Sequence, residues 1–181
     1  MYYTLKSITL PGPSIGDITV NVTDGTDAIS SASVVLTDSE EESTTKSSDA
    51  SGEATFDNVD PGTYTLTVSK SNYATVTQTL VVVGDATVNV VLIPTRSCSF
   101  TIDDGAASDP QGISGAYVTI DGDTANKKTT GGAGGCTATL ADGEHTVVVT
   151  NATGYKDKTT TITVDSTHTS FTISLEEEEG G

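Results

Sequence analysis

The fold is decided by the stretch Asp60-Pro61-Gly62-Thr63-Tyr64-Thr65-Leu66-Thr67-Val68. Its Pro-Gly pair predicts a tight turn, because proline presets the backbone and glycine tolerates the conformation that follows. After the turn, Tyr64, Leu66 and Val68 alternate with threonines. This period-two pattern is typical of a strand with one face in a core and the other in water. The stretch therefore predicts a turn followed by a half-buried strand.

The same pattern occurs again further along the chain as Asp142-Gly143-Glu144-His145-Thr146-Val147-Val148-Val149, and a tyrosine follows each copy, Tyr73 and Tyr155. The spacing of roughly 80 residues is too long for a solenoid repeat and matches a small whole domain. We therefore predict a duplication, which gives four segments: an N-terminal arm at 1–14, β-sandwich domains at 15–94 and 96–176, and an acidic tail at 177–181.

Short alternating runs separated by turn residues fill both repeats, and helical periodicity is nearly absent. The sequence therefore predicts an all-β fold of two tandem Greek-key β-sandwich domains with an extended N-terminal arm. The run Asp38-Ser39-Glu40-Glu41-Glu42 is expected at a solvated hairpin tip, because burying unpaired carboxylates is costly. Inward positions in the first domain are predicted at Ile18, Val20, Val22, Ala32, Val34, Leu36, Ala54, Phe56, Tyr64, Leu66, Val68, Val76, Leu80, Val82, Val88, Val90 and Leu92.

The motif order in the first repeat resembles a known family. The runs Ile29–Leu36, Ser51–Phe56 and Pro61–Val68, followed by Tyr73, resemble the carboxypeptidase regulatory-like domain and the B-type repeats of collagen adhesins. The resemblance covers about residues 16 to 93 and is weaker in the second repeat, where His145 replaces the tyrosine. It implies a transthyretin-like sandwich but little about function, because such domains are attached to enzymes, adhesins and virion proteins alike.

B-type adhesin repeats often carry an internal Lys–Asn isopeptide bond, and the resemblance makes this feature worth testing. Asn89 falls on the last predicted strand at an outward position, and the first strand, Asp17–Val22, contains no lysine. We therefore expect no crosslink in the first domain, and the second domain lacks both partners.

The chain is strongly acidic, with 25 acidic and 8 basic residues, a net charge of -17 and a pI near 4.1. Binding to nucleic acid would need a basic patch, and the sequence shows none. No apolar run is long enough for a membrane span. The N-terminus also lacks the basic start and continuous apolar core of a secretory signal peptide. We therefore expect neither nucleic acid nor membrane lipid as a partner, and either cytoplasmic assembly or an earlier loss of a leader.

The arm at residues 1–14 is apolar without a domain of its own to bury it. Pro11-Gly12-Pro13 must break any strand that runs through the arm. Two interpretations are equally open: the arm docks on a protein partner by strand addition or in a groove, or it folds back on the first domain as an extra strand. The predicted partner-binding residues are Tyr2, Tyr3, Leu5, Ile8 and Leu10.

The two cysteines, Cys98 and Cys136, align with inward positions of the first repeat, Ile18 and Ala54. If their strands are neighbours, a disulfide across the second sandwich would stabilise it by about 2–4 kcal/mol. The alternative, slightly favoured by the missing secretory signal, is two free thiols that act as small apolar residues.

Residues that could carry chemistry are few. His145 replaces a core tyrosine and is interpreted as a packed ring, and His168 is the only other histidine. Asp121, Asp123 and Asp103-Asp104 could supply oxygen ligands to calcium, but Asp-Gly turns account for them equally well. We therefore predict no catalytic residue, no metal and no cofactor, and classify the chain as not an enzyme.

Three functional hypotheses remain. The first is a structural display protein of a virion surface, as a capsid decoration, head fibre or tail-associated protein that its arm anchors to capsid or tail subunits. The alternative is a cell-surface adhesin or a fimbrial or filament subunit that binds other subunits or itself as a homo-oligomer. The third is a carbohydrate-binding accessory module, which would need exposed aromatic side chains.

Overall fold

The computed structural model describes residues 12–178, and every regular element within that range is a β-strand. No helix in this range could therefore cross a membrane. The chain divides into two compact units, and the boundary along the sequence lies between Leu92 and Ile93. The predicted all-β class and sandwich architecture are confirmed. The strands of the first unit are β1 (Gly16–Thr23), β2 (Ser33–Thr37), β3 (Ser43–Ser47), β4 (Glu53–Val59), β5 (Gly62–Ser69), β6 (Val76–Val82) and β7 (Ala86–Val91).

The first unit consists of a three-stranded sheet in the order β4-β1-β7 and a four-stranded sheet in the order β3-β2-β5-β6. Strands β1 and β7 are parallel, whereas the other neighbouring strands in this unit are antiparallel. The inward residues of both sheets form one core. That core includes Ile18, Val20, Val22, Val34, Phe56, Leu66, Val68, Val82 and Leu92.

The second unit repeats this topology. Its sheets have the orders β11-β8-β14 and β10-β9-β12-β13, with β8 and β14 parallel. Its own core contains Cys98, Phe100, Ile102, Val118, Val147, Val149, Ile162, Val164 and Ile173. The strands are β8 (Thr95–Asp103), β9 (Tyr117–Ile120), β10 (Lys128–Thr129), β11 (Gly135–Ala141), β12 (Gly143–Thr150), β13 (Lys158–Val164) and β14 (Ser170–Ser174).

The stretch that decided the fold lies inside its sheet as β5, with β2 on one side and β6 on the other. Leu66 and Val68 are fully buried, whereas Thr65 is exposed. Tyr64 is half-buried, and its hydroxyl donates to the backbone carbonyl of Asp60 at 3.0 Å, which closes the turn before the strand. The period-two pattern therefore gave the correct register.

The acidic run at residues 38–42 forms the turn between β2 and β3, as predicted. The Asp38 carboxylate accepts the backbone N–H groups of Glu40 and Glu42, so this carboxylate organises the hairpin tip. In the second unit the corresponding strand, β10, is only two residues long. The reason is that the Asp123 carboxylate binds the N–H groups of Ala125 and Asn126 and holds them in a turn.

Two equivalent glycines lie where the chain has no room for a side chain. Gly52 and Gly134 have φ angles of 81° and 72°, a region that disfavours other residues. A Cβ atom at Gly52 would lie 2.4 Å from the Val22 carbonyl oxygen, and one at Gly134 would lie 2.1 Å from that of Ile102. Gly134 lies in the glycine-rich loop 131–135 of the second unit. This loop is hydrogen-bonded to the core strand β8, because the N–H of Ile102 donates to the carbonyl of Gly134 at 2.9 Å.

A buried hydroxyl occupies the same place in each unit. Ser48 follows β3; its hydroxyl donates to the carbonyl of Ile29 at 2.7 Å and accepts the N–H of Ala32 at 2.9 Å. Thr130 follows β10 and makes the same two bonds, to Ile113 at 2.7 Å and from Ala116 at 3.0 Å. Ser48 and Thr130 are both only 4% exposed. Each hydroxyl therefore ties the connection between the first two strands of its unit to the end of the third.

The register of β5 gives a direct stability prediction. Leu66→Ala removes a fully buried side chain and should lower the free energy of unfolding of the first unit by about 2–5 kcal/mol. Thr65→Ala, the matched control on the exposed face of the same strand, should lower it by well under about 1 kcal/mol. Urea denaturation of the two variants measures the difference, and equal effects would contradict the register.

Candidate functional site

The predicted partner-binding residues of the arm, Tyr2, Tyr3, Leu5, Ile8 and Leu10, lie outside the described residues, and their role stays a prediction. The described part of the chain begins at Gly12, and its first contact with the end of β6 is made by Ser14. There the N–H of Ser14 donates to the carbonyl of Val83 at 3.1 Å. The arm therefore joins the first unit at one end of its four-stranded sheet.

Among residues 12–178, β6 is the outermost strand at this side of that sheet, since within this range it pairs with β5 alone. Val81 and Val83 are 62% and 64% exposed, and Ile15 is 56% exposed. The sequence analysis did not predict this apolar surface, which we call the β6 edge: strand β6 with Val83 and Ile15. The available signal was the uncharged run Ala74–Val83, which places valines at outward as well as inward positions.

Each unit also has an open cleft where its two sheets separate. The first, of about 370 Å³, is lined by parts of β2, β3, β4 and β5, with Lys46 among the acidic residues Asp38, Glu42, Asp57 and Asp60. The second, of about 480 Å³, is lined by Asp121, Asp123 and Lys128 together with apolar residues of β9 and β11. Both are wide and open, so neither resembles the enclosed pocket typical of small-molecule sites.

His145 is packed, as predicted, but its ring is also fully hydrogen-bonded. Its Nδ1 lies 2.6 Å from a carboxylate oxygen of Asp121, and its Nε2 lies 2.8 Å from the carbonyl oxygen of Ala141. Both partners are acceptors, so only the doubly protonated ring can donate to both. Burial lowers the pKa of His145, but the bonds to Asp121 and Ala141 outweigh it, and the pKa lies above the ordinary 6.5. Tyr64 makes the equivalent carbonyl contact in the first unit with an uncharged hydroxyl.

This arrangement predicts a pH dependence confined to the second unit. Because the folded-state pKa of His145 is raised, its stabilising contribution is complete below the unfolded pKa and is lost as pH rises through the folded pKa. The thermal midpoint of the second unit should therefore decrease as the pH rises above about 6.5 and through the raised folded-state pKa of His145. His145→Tyr, which copies the first unit, should flatten that dependence, whereas the exposed-site control His168→Asn should keep it. Calorimetry across this pH range tests the prediction, and an unchanged slope in His145→Tyr would contradict it.

The two cysteines lie on neighbouring strands of one sheet, not on facing sheets. In the β8–β11 ladder, Cys98 pairs with Ala138 and Cys136 with Phe100, so the cysteines are diagonal neighbours. Diagonal Cα atoms are about 7–8 Å apart, whereas disulfides usually join Cα atoms about 4.4–6.8 Å apart. Both are free thiols in this structure. The two thiols therefore lie on one face of one sheet and do not bridge the two sheets of the sandwich. Burial raises the pKa of each thiol, which disfavours the reactive thiolate.

The aspartates considered as calcium ligands are each occupied by local hydrogen bonds. Asp121 accepts from Thr146 and contacts His145, while Asp104 accepts the N–H groups of Ala106 and Gln111. Within residues 12–178, no group of three or more acidic, histidine or cysteine side chains is arranged to hold a metal ion. These aspartates therefore serve as turn formers in the described structure.

None of the aromatic side chains between residues 12 and 178 is exposed. Phe100 and Phe171 pack against each other with ring centroids 5.6 Å apart, and the ammonium of Lys127 lies 3.8 Å from the ring centre of Tyr117. Tyr73 and Tyr155 pack against their respective cores. The described surface thus offers no aromatic platform for a sugar ring, which weakens the carbohydrate-binding hypothesis.

Comparison with protein families identifies the class of the first unit. Residues 17–93 match the model of the carboxypeptidase regulatory-like domain. This confirms the resemblance found in the sequence over nearly the same range. No curated protein sequence matches the chain.

The solved structures that align with this chain include two pilins and the TIE protein of Bacillus anthracis. The minor pilin GBS52 of Streptococcus agalactiae aligns with 92% of this chain and 98% of its own, at 13% identity and a TM-score of 0.53. The TIE protein of Bacillus anthracis aligns with 91% of this chain at 16% identity and a TM-score of 0.41, and the chain spans 34% of its length. The shaft pilin SpaA of Lactobacillus rhamnosus GG aligns with 92% of this chain and 99% of its own, at 14% identity and a TM-score of 0.40.

Proposed function

We propose that this chain is a non-enzymatic structural subunit of an extracellular surface assembly, of the pilin or adhesin kind. The observation that carries the proposal is the tandem β-sandwich fold. The structural alignment with a minor pilin covers 92% of this chain and 98% of the pilin. The proposal corresponds to the fimbrial or adhesin alternative of the sequence analysis. The virion-surface hypothesis has no comparable observation behind it.

The chemistry of the described surface supports a structural role. The polar side chains that could act on a substrate are engaged locally: His145 with Asp121, His168 with Asp165, and Asp123 with Asn126. The clefts are open and hold no converging set of nucleophile, base and oxyanion donors, which an acyl- or phosphoryl-transfer site would need. The net charge of -17 favours solubility and weak non-specific association, as suits a displayed protein.

The partner in this proposal is another protein subunit, either a different filament protein or a second copy of the chain. Attachment is assigned to the arm residues Tyr2, Tyr3, Leu5, Ile8 and Leu10, which combine aromatic and aliphatic side chains in a stretch without acidic residues. Aromatic anchors of this kind often dominate binding at protein interfaces. The acidic sandwiches would then form the projecting part.

The location of the native protein tests this function. Antibodies against the full chain should label the outside of intact source cells by immunogold electron microscopy. Mass spectrometry should also detect the chain in filaments sheared from those cells. Detection only in purified virions, or only inside unbroken cells, would contradict the proposal. Antibodies depleted by the purified chain serve as the labelling control.

A further inference from the structure

The β6 edge has the properties of a strand that accepts another strand. Ten consecutive residues, Ala74–Val83, contain no charged residue, no proline and no glycine. Seven of them form β6, and the ladder with β5 runs from Gly62↔Val82 to Val68↔Val76 without a bulge. Long, flat and uncharged edges are the ones that pair with other chains, because nothing blocks their unpaired backbone groups.

The second unit shows how the same edge looks when it is protected. Strand β13 is the counterpart of β6, and it begins with Lys158 and is followed directly by Asp165. The Lys158 ammonium donates to the carbonyl of Ser174 at 2.7 Å. Charges at edge strands are a common protection against unwanted pairing. The first unit lacks this protection on β6, so the difference between the units marks β6 as the functional edge.

We propose that the β6 edge binds residues Tyr2–Leu10 of a second copy of this chain as an added strand. This inference rests on the proposed function and names the partner and its docking surface. The arm is long enough, since eleven residues precede Gly12 and β6 has seven. Its apolar side chains match the exposed Val81 and Val83. Its charges are complementary as well: residues 1–11 carry Lys6 and no acid, whereas the chain as a whole has a net charge of -17.

The choice of a second copy follows from the sequence between the arm and β1. Ser14 makes the first contact with the β6 edge within its own chain, through the carbonyl of Val83. Pro11 and Pro13 come directly before it, and prolines fix φ and favour the three-residue period of polyproline II over the two-residue period of a strand. We therefore expect these prolines to disfavour the continuation of a pairing from Ser14 back to Leu10 within one chain. The arm of another copy enters without this constraint, as in domain exchange.

Sedimentation of the full chain over a wide range of concentration tests the proposal. The full chain should self-associate, and deletion of residues 1–13 should abolish that association. Val81→Lys, which places a charge on the edge, should weaken association at least tenfold. The matched control is Thr163→Lys at the equivalent exposed position of β13, and it should associate like the unmodified chain. An added peptide of residues 1–11 should compete with assembly.

Each other outcome overturns the inference in a recognisable way. A full chain that stays monomeric while both Val81→Lys and the deletion lower its thermal midpoint would show that the arm covers its own β6. A full chain that stays monomeric and is unaffected by either change would exclude the β6 edge as a docking site. Association that survives Val81→Lys would place the contact on another surface. These outcomes do not bear on where the protein is located, so immunogold labelling tests the proposed function separately.

Discussion

The structure depends on one buried hydroxyl in each sandwich. The first two strands of a unit lie in different sheets, and so do the third and fourth, so the chain crosses between the sheets at both of these connections. Ser48 joins these crossings in the first unit and Thr130 joins them in the second. Each hydroxyl satisfies a carbonyl and an N–H that would otherwise be buried without partners, at a cost of about 1–3 kcal/mol each. A second tie reinforces the same crossing, from the Lys70 ammonium to Ser30 and Ser31 and from the Asn151 amide to Gly115.

These hydrogen bonds hold the sandwich together, and the proposed function depends on the outer strands. Both histidines of the described range, His145 and His168, and several aspartates, such as Asp38 and Asp104, are engaged in turns and local pairs. What differs between two otherwise equivalent units is therefore informative. The first unit presents an uncharged β6 with exposed valines, and the second presents a β13 flanked by charges. The proposed role as an assembling surface subunit uses that asymmetry, with an acidic body that stays soluble and one edge that accepts a strand.

Much of the fold could be predicted from the sequence, because strand alternation reports which side chains face the core. Leu66, Val68 and Phe56 are buried as that pattern predicts. Alternation places Val81 on the outward face but does not report which strand is outermost, so the apolar β6 edge was missed. Ser48 was missed for another reason: a serine between β3 and a turn has no distinguishing pattern, and its role appears only when Ile29 and Ala32 are brought beside it. The arm residues Tyr2 to Leu10 lie outside the described range and keep their predicted role as a proposal.

Substitution of Ser48 measures the central interaction most directly. Ser48→Ala in the full chain leaves both groups unsatisfied and should lower the free energy of unfolding of the first unit by about 2–6 kcal/mol. Ser48→Thr, which introduces the residue that the second unit uses at Thr130, should retain most of the stability. Native-state hydrogen exchange read by mass spectrometry reports each unit separately, through peptides from 17–91 and from 95–174. We expect faster exchange in the first unit of Ser48→Ala and little change in its second unit. Equal exchange in Ser48→Ala and the unmodified chain, or equal losses in Ser48→Ala and Ser48→Thr, would contradict it.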